Sequence, residues 1–159
     1  MPTAISNLVA LLQQRLEERP DDLAYVFLAG ADSRPSTLNY RQLDFQARTV
    51  AAHLQELGLQ GERVLLLYPP GLDFIAAFLG CLYAGSIAVP VYPPRMNRNV
   101  RRIVAIAEDS QATVALTTST VTFTSPTSSC MRADAVLFSS TGKLFTTVAL
   151  NPWAVAVKL

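Results

Sequence analysis

The run Ser139-Ser140-Thr141-Gly142-Lys143 holds the side chains best suited to a phosphate. Hydroxyls, a glycine that lets backbone amides turn inward, and a lysine are what a phosphate-holding loop needs. The run follows a short apolar stretch, Ala135–Phe138. The nucleotide-loop pattern built on Gly-Lys nevertheless fails. Leu137 stands where its first glycine belongs, and Leu144 stands where Ser or Thr should follow Lys143. The plainer reading is a Ser/Thr-rich turn, with the run kept as a degenerate phosphate-loop candidate. His53 is the only histidine. It falls mid-helix beside an apolar stripe, and without a second His or a nearby Cys it reads as a helix-surface residue. Arg95, Arg98, Arg101 and Arg102 cluster at a helix start. They could meet a phosphate or an acidic protein, although a solvated face is the simpler expectation. Cys81 and Cys130 lack metal spacing, and Cys81 on an apolar helix behaves as a small hydrophobe. No catalytic residue and no metal site is named from these groups.

Such groups need a scaffold, and Gly61–Arg95 supplies the clearest part of it. Arg63–Tyr68 is an apolar run stopped by Pro69-Pro70-Gly71, because proline fixes φ and cannot donate to a ladder. Asp73 suits the first turn of the next helix, where a carboxylate meets the positive end of the dipole. Phe74, Ile75, Phe78, Leu79 and Leu82 then recur at helical spacing. Gly85-Ser86 ends that helix, and Ile87–Tyr92 is a second β-rich run closed by Pro93-Pro94. The pattern predicts a right-handed βαβ unit of a parallel sheet. Tyr68 and Tyr92 would end its strands, where α/β proteins place ligands.

The flanks extend the scheme. Ile5, Leu8, Val9, Leu12 and Leu16 share one face of a first helix, with Thr3 or Ser6 as its cap. Leu23–Ala29 and Ser36–Tyr40 read as a hairpin. Asn39 and Gln42 form a capping box for a helix whose buried face is Leu43, Ala47, Val50, Ala51, Leu54 and Leu57, with Gly58 at its end. Asn97 or Asn99 opens a further helix, and Ala112–Thr117 is a third parallel strand. The fold class is therefore α/β, with an N-terminal helix and hairpin.

Tyr68-Pro69-Pro70-Gly71-Leu72-Asp73-Phe74, Phe78–Gly85 and Val89-Pro90-Val91-Tyr92-Pro93-Pro94 resemble the N-terminal region of the fatty-acyl-AMP ligases, in the adenylate-forming superfamily. Thr37-Leu38-Asn39-Tyr40 with Leu43, and Ala107–Thr118, resemble the same family on either side. The resemblance implies ATP-dependent activation of a fatty acid: carboxylate and ATP give acyl-AMP and pyrophosphate, and the acyl group passes to a carrier-protein thiol. ATP and Mg are the implied cofactors, and fatty acid and acyl carrier protein the implied partners. Fragments of an acyl-CoA ligase or of a peptide-synthetase adenylation domain, and a non-catalytic docking module, are the alternatives. The family's phosphate loop has the form S-G-S-T-G-x-P-K-G. Here Ser140 replaces a glycine and the Pro-Lys-Gly ending is missing.

The resemblance stops after Thr118. Ser119–Ser129 is Ser/Thr-dominated, and the later β-like runs Ala135–Phe138, Leu144–Leu150 and Trp153–Val157 differ in character from what precedes them. Residues 1–118 are expected to form a partial N-terminal domain, and 119–159 a tail outside it. The chain is thus read as an N-terminal fragment, inactive alone and binding no cofactor itself. Its net charge of +1 gives no electrostatic case for nucleic acid. Arg15, Glu17, Glu18 and Arg19 interrupt any signal-like leader. Asp73, Gly85 and Pro90 interrupt the only stretch that imitates a membrane span. A cytoplasmic protein is expected.

Overall fold

A computed structural model describes residues 7–30, 33–93, 100–118, 147–151 and 154–158, the last two segments by their backbone. Helix α1 spans Leu8–Glu18. Its cap is Asn7, whose Oδ1 accepts from the Ala10 amide at 2.8 Å. The expected caps, Thr3 and Ser6, lie outside the described residues, and a cap must sit directly before the first turn to reach its free amides. Strands β1 (Leu23–Phe27) and β2 (Ser36–Asn39) pair antiparallel as a separate hairpin. Helix α2 (Tyr40–Glu56) starts from the expected capping box, with Asn39 and Gln42 each satisfying the other's backbone amide. Leu57, expected on its buried face, is 43% exposed. It is the C-cap residue, and once Gly58 turns left-handed (φ +68°) burial passes to Leu59.

Strand β3 (Arg63–Leu67), helix α3 (Leu72–Ala84) and strand β4 (Ile87–Pro90) form the βαβ unit, with β3 and β4 parallel. Helix α4 (Val100–Ser110) leads to β5 (Val114–Thr117), which lies parallel to β3 on its other side. Asn97 and Asn99, the expected openings of α4, fall outside the described residues. Central β3 has helices over both faces, so its run Val64–Leu67 is buried throughout and shows no alternation. Val64 and Leu66 face α2 and α3, packing with Val50, Leu54, Ala77 and Cys81. Leu65 and Leu67 face α4, packing with Ile103. Each large aliphatic side chain so buried contributes roughly 1.5–3 kcal/mol. A further cluster joins Leu12 of α1 to Leu43, Ala76 and Leu79, anchoring the N-terminal helix on the α2–α3 layer.

Two glycines permit this packing. Gly85 caps α3 in the left-handed conformation at φ +73°. Gly80 brings α3 against α2 so closely that an added Cβ would stand 2.6 Å from Val50 Cβ.

The sheet continues past β5. Strands β6 (Thr147–Asn151) and β7 (Ala154–Lys158) form an antiparallel hairpin, and β7 pairs antiparallel with β5, giving the order β4-β3-β5-β7-β6. Both strands fall in the 119–159 segment that the sequence reading sets outside the domain. Their Thr and Val content suits a strand, and β5 offers them an edge.

Candidate functional site

The order β4-β3-β5 makes the sheet wind in two directions from β3. Chain leaving β3 crosses by α3 to β4, and chain leaving β4 returns by α4 to the far side of β3. In open α/β sheets ligands bind beyond the carboxyl ends of strands at such a reversal. The residues there are Tyr68, Pro69, Pro70, Gly71, Val91, Tyr92, Thr117 and Thr118. Thr117 is buried and its hydroxyl donates to the Leu67 carbonyl at 2.9 Å, tying β5 to β3. The Tyr68 hydroxyl is buried with no hydrogen-bond partner, and burial pushes its pKa up. Asp73, in the first turn of α3, also has its pKa raised by burial. Prolines follow both tyrosines; Tyr68 is buried and Tyr92 is half exposed.

The run from Ser139 to Lys143, with Arg95, Arg98 and Cys130, lies outside the described residues. Of the named basic cluster, Arg101 and Arg102 stand exposed on α4. His53 lies in the last turn of α2 with Nδ1 3.3 Å from Glu56, a helix-surface contact. Cys81 is buried under α3, and burial pushes its thiol up to about 12, which holds it inert at neutral pH. Among the described residues no group of His, Cys, Asp and Glu could hold a metal ion. Both lysines, Lys143 and Lys158, belong to the 119–159 segment.

One polar constellation escaped the sequence reading. Asp44 is buried between α2 and α3, accepting from the Tyr83 hydroxyl at 2.6 Å and from Arg48 Nε at 2.7 Å. The Arg48 guanidinium also lies over the Tyr83 ring, 5.4 Å from its centroid. The paired carboxylate raises the Arg48 pKa, while burial first and the hydrogen bond to Asp44 second raise that of Tyr83. The Asp-x-x-x-Arg spacing was the available signal for one half of it. The constellation clamps two helices and presents no reacting group. Beside α1 a groove of about 260 Å³ is lined by Leu8, Leu12, Tyr25, Leu43 and Leu79. Arg15 lines it too, already 3.1 Å from Glu18.

Comparison with known proteins places this architecture. The family model of the AMP-binding enzymes matches residues 12–152. The chain belongs to the AMP-binding enzyme family. Its match to the family model runs beyond Thr118, where the resemblance in motifs ends. Among characterised AMP-binding relatives, the medium-chain-fatty-acid–[acyl-carrier-protein] ligase JamA of Moorena producens is 46% identical over 115 residues, covering 70% of this chain and 19% of JamA. The long-chain-fatty-acid–AMP ligase FadD26 of Mycobacterium tuberculosis is 38% identical over 124 residues, covering 76% of this chain and 21% of the relative. A crystal structure of the fatty acyl-adenylate ligase from L. pneumophila, in complex with acyl adenylate and pyrophosphate, superposes with a TM-score of 0.69 at 39% identity. That likeness covers 73% of this chain and 20% of the Legionella chain. The chain thus spans about a fifth of the length of the relatives it matches. No helix among the described residues is long and apolar enough to cross a membrane.

Proposed function

We propose that this chain forms part of the N-terminal α/β layer of a fatty-acyl-AMP ligase. The reaction joins a fatty-acid carboxylate oxygen to the α-phosphorus of ATP with loss of pyrophosphate. A carrier-protein thiol then attacks the acyl carbon and AMP leaves. ATP and Mg2+ would be the cofactors, the cytoplasm the compartment, and lipid or polyketide-type assembly the setting. The observation that carries the reading is the 46% identity to a fatty-acid–[acyl-carrier-protein] ligase across the βαβ core. Residues 1–118 would be the partial domain, with 119–159 an appendage to it. The 159-residue polypeptide alone would not catalyse adenylation, since it spans about a fifth of the length of its relatives.

Exchange of labelled pyrophosphate into ATP tests the proposal. The 159-residue polypeptide is expected at the no-protein blank. A chimera of JamA carrying residues 1–118 in place of its matching segment is expected to keep fatty-acid-dependent exchange within about tenfold of JamA, a loss of no more than about 1.4 kcal/mol. Fatty-acid-dependent exchange by the polypeptide alone would refute the division of labour. A folded chimera without exchange would refute the placement of this segment in such an enzyme.

A further inference from the structure

The five-stranded sheet, in the order β4-β3-β5-β7-β6, has β4 and β6 as its outer strands. Both are poor templates for further pairing. Strand β4 is short and ends in Pro90, which has no amide to donate. In β6 the register against β7 breaks between Ala149 and Asn151, and Pro152 follows the strand in sequence. Short strands, broken registers and prolines are the devices that blunt sheet edges.

The last parallel strand, β5, has neither of the last two. Val114–Thr117 is uncharged and free of proline, and its register runs unbroken against β3 on one side and β7 on the other. Its faces are already covered, Val114 and Leu116 in one core cluster and Ala115 in another. What β7 adds is the pairing of an apolar edge, the kind along which chains associate. The hairpin thus moves the outer edge of the sheet from β5 to the blunted β6. We propose that the β6–β7 hairpin is an edge cap that keeps β5 from pairing with a second copy of this chain. Here β5 accepts its neighbour antiparallel, and two identical strands can pair antiparallel about a two-fold axis. The uncapped species is a dimer joined β5 to β5, with each chain's hairpin displaced. The inference stands on strand pairing and is independent of the acyl-transfer reading.

The test disables the cap within the full 159-residue chain. Ala156→Pro combined with Val157→Pro changes the residues opposite Leu116 and Ala115. Successive amides of a strand point to opposite sides, so one of the two lost amides faces β5. Analytical ultracentrifugation at about 0.1 mM is expected to show a wild-type monomer and a double variant of about twice its mass. A peptide of residues 147–158, added in excess, should return the variant to monomer by mass action, and the same peptide carrying both prolines should not. A cooperative urea transition in the variant checks that the core survives. A folded, monomeric variant would overturn the proposal, as would association that the wild-type peptide leaves unchanged. Wild-type dimers at the same concentration would overturn it too, because the hairpin would then guard nothing. Loss of the cooperative transition would overturn it by making the hairpin part of the core.

Discussion

Tyr68 carries a buried hydroxyl that nothing satisfies, and this has a measurable sign. A buried polar group without a partner costs about 1–3 kcal/mol, whereas its removal leaves the ring's packing intact. Tyr68→Phe is therefore expected to raise the unfolding free energy by about 1 kcal/mol in a urea melt. A loss of stability would mean that the hydroxyl has found a partner, such as an internal water. Cys81 gives a second expectation at this scale. With its thiol pushed up to about 12, only roughly one molecule in ten thousand carries the thiolate at pH 8. In a Cys130→Ser background, a disulfide reagent at pH 8 should label Cys81 at the rate of unfolding; immediate labelling of the native protein would contradict the burial. As pH climbs from about 9 towards 12, the unfolded chain gives up this proton first, so the thiol's share of stability falls across that window.

At the scale of elements, the contact between α2 and α3 depends on an absent side chain. Gly80→Ala would gain up to about 1 kcal/mol of helix propensity. It would also press a methyl group against Val50 and sit 3.0 Å from the Ala47 carbonyl. Overpacking of this kind costs about 1–3 kcal/mol, and the steric term is expected to prevail. Val50→Ala removes the γ carbon at 2.7 Å but keeps the β carbon at 2.6 Å, so the double variant should recover only a small part of the loss, which a urea melt of the four proteins of the cycle checks. Asn39→Ala removes one half of the capping box and should cost about 1 kcal/mol. These elements were legible because their signals are local. Asn39 and Gln42 lie one turn apart, Pro69-Pro70 stops a strand by its own chemistry, and the apolar spacing of α3 sets its buried face. The bond between Asp44 and Tyr83 was not legible. Its partners lie 39 residues apart, and neither side chain announces the other. Leu57 was misjudged because periodicity does not say where a helix stops presenting its face.

For the whole molecule, the placement of residues 119–159 is the open experimental question. The described core clusters are built from residues between Leu12 and Leu116, with sheet faces already covered by α2, α3 and α4. If that segment is an appendage, its deletion should shift Tm by no more than a few degrees, because it removes backbone pairing at β5 and none of the described core. A loss of several kcal/mol, the size expected when core is removed, would place the β6–β7 hairpin inside the domain. The parallel part of the sheet was legible in the sequence, since strand and helix patterns alternate there. The hairpin's place beside β5 was not, because strand-like runs carry no record of which edge they join. The phosphate-loop candidate rested on residue types alone, and Ser139–Lys143 remains outside the described residues.

The tie between Thr117 and Leu67 spans fifty residues of chain, and that distance is also an interval of time. A ribosome adding roughly 5–20 residues per second needs about 3–10 s to travel it. During that interval β3 can hold β4 on one side while its other side waits for β5. An apolar strand with an open edge is what chaperones capture and what neighbouring nascent chains on a polysome can pair with. Synthesis rate across residues 68–117 should therefore govern the soluble yield more strongly than the stability of the finished fold does.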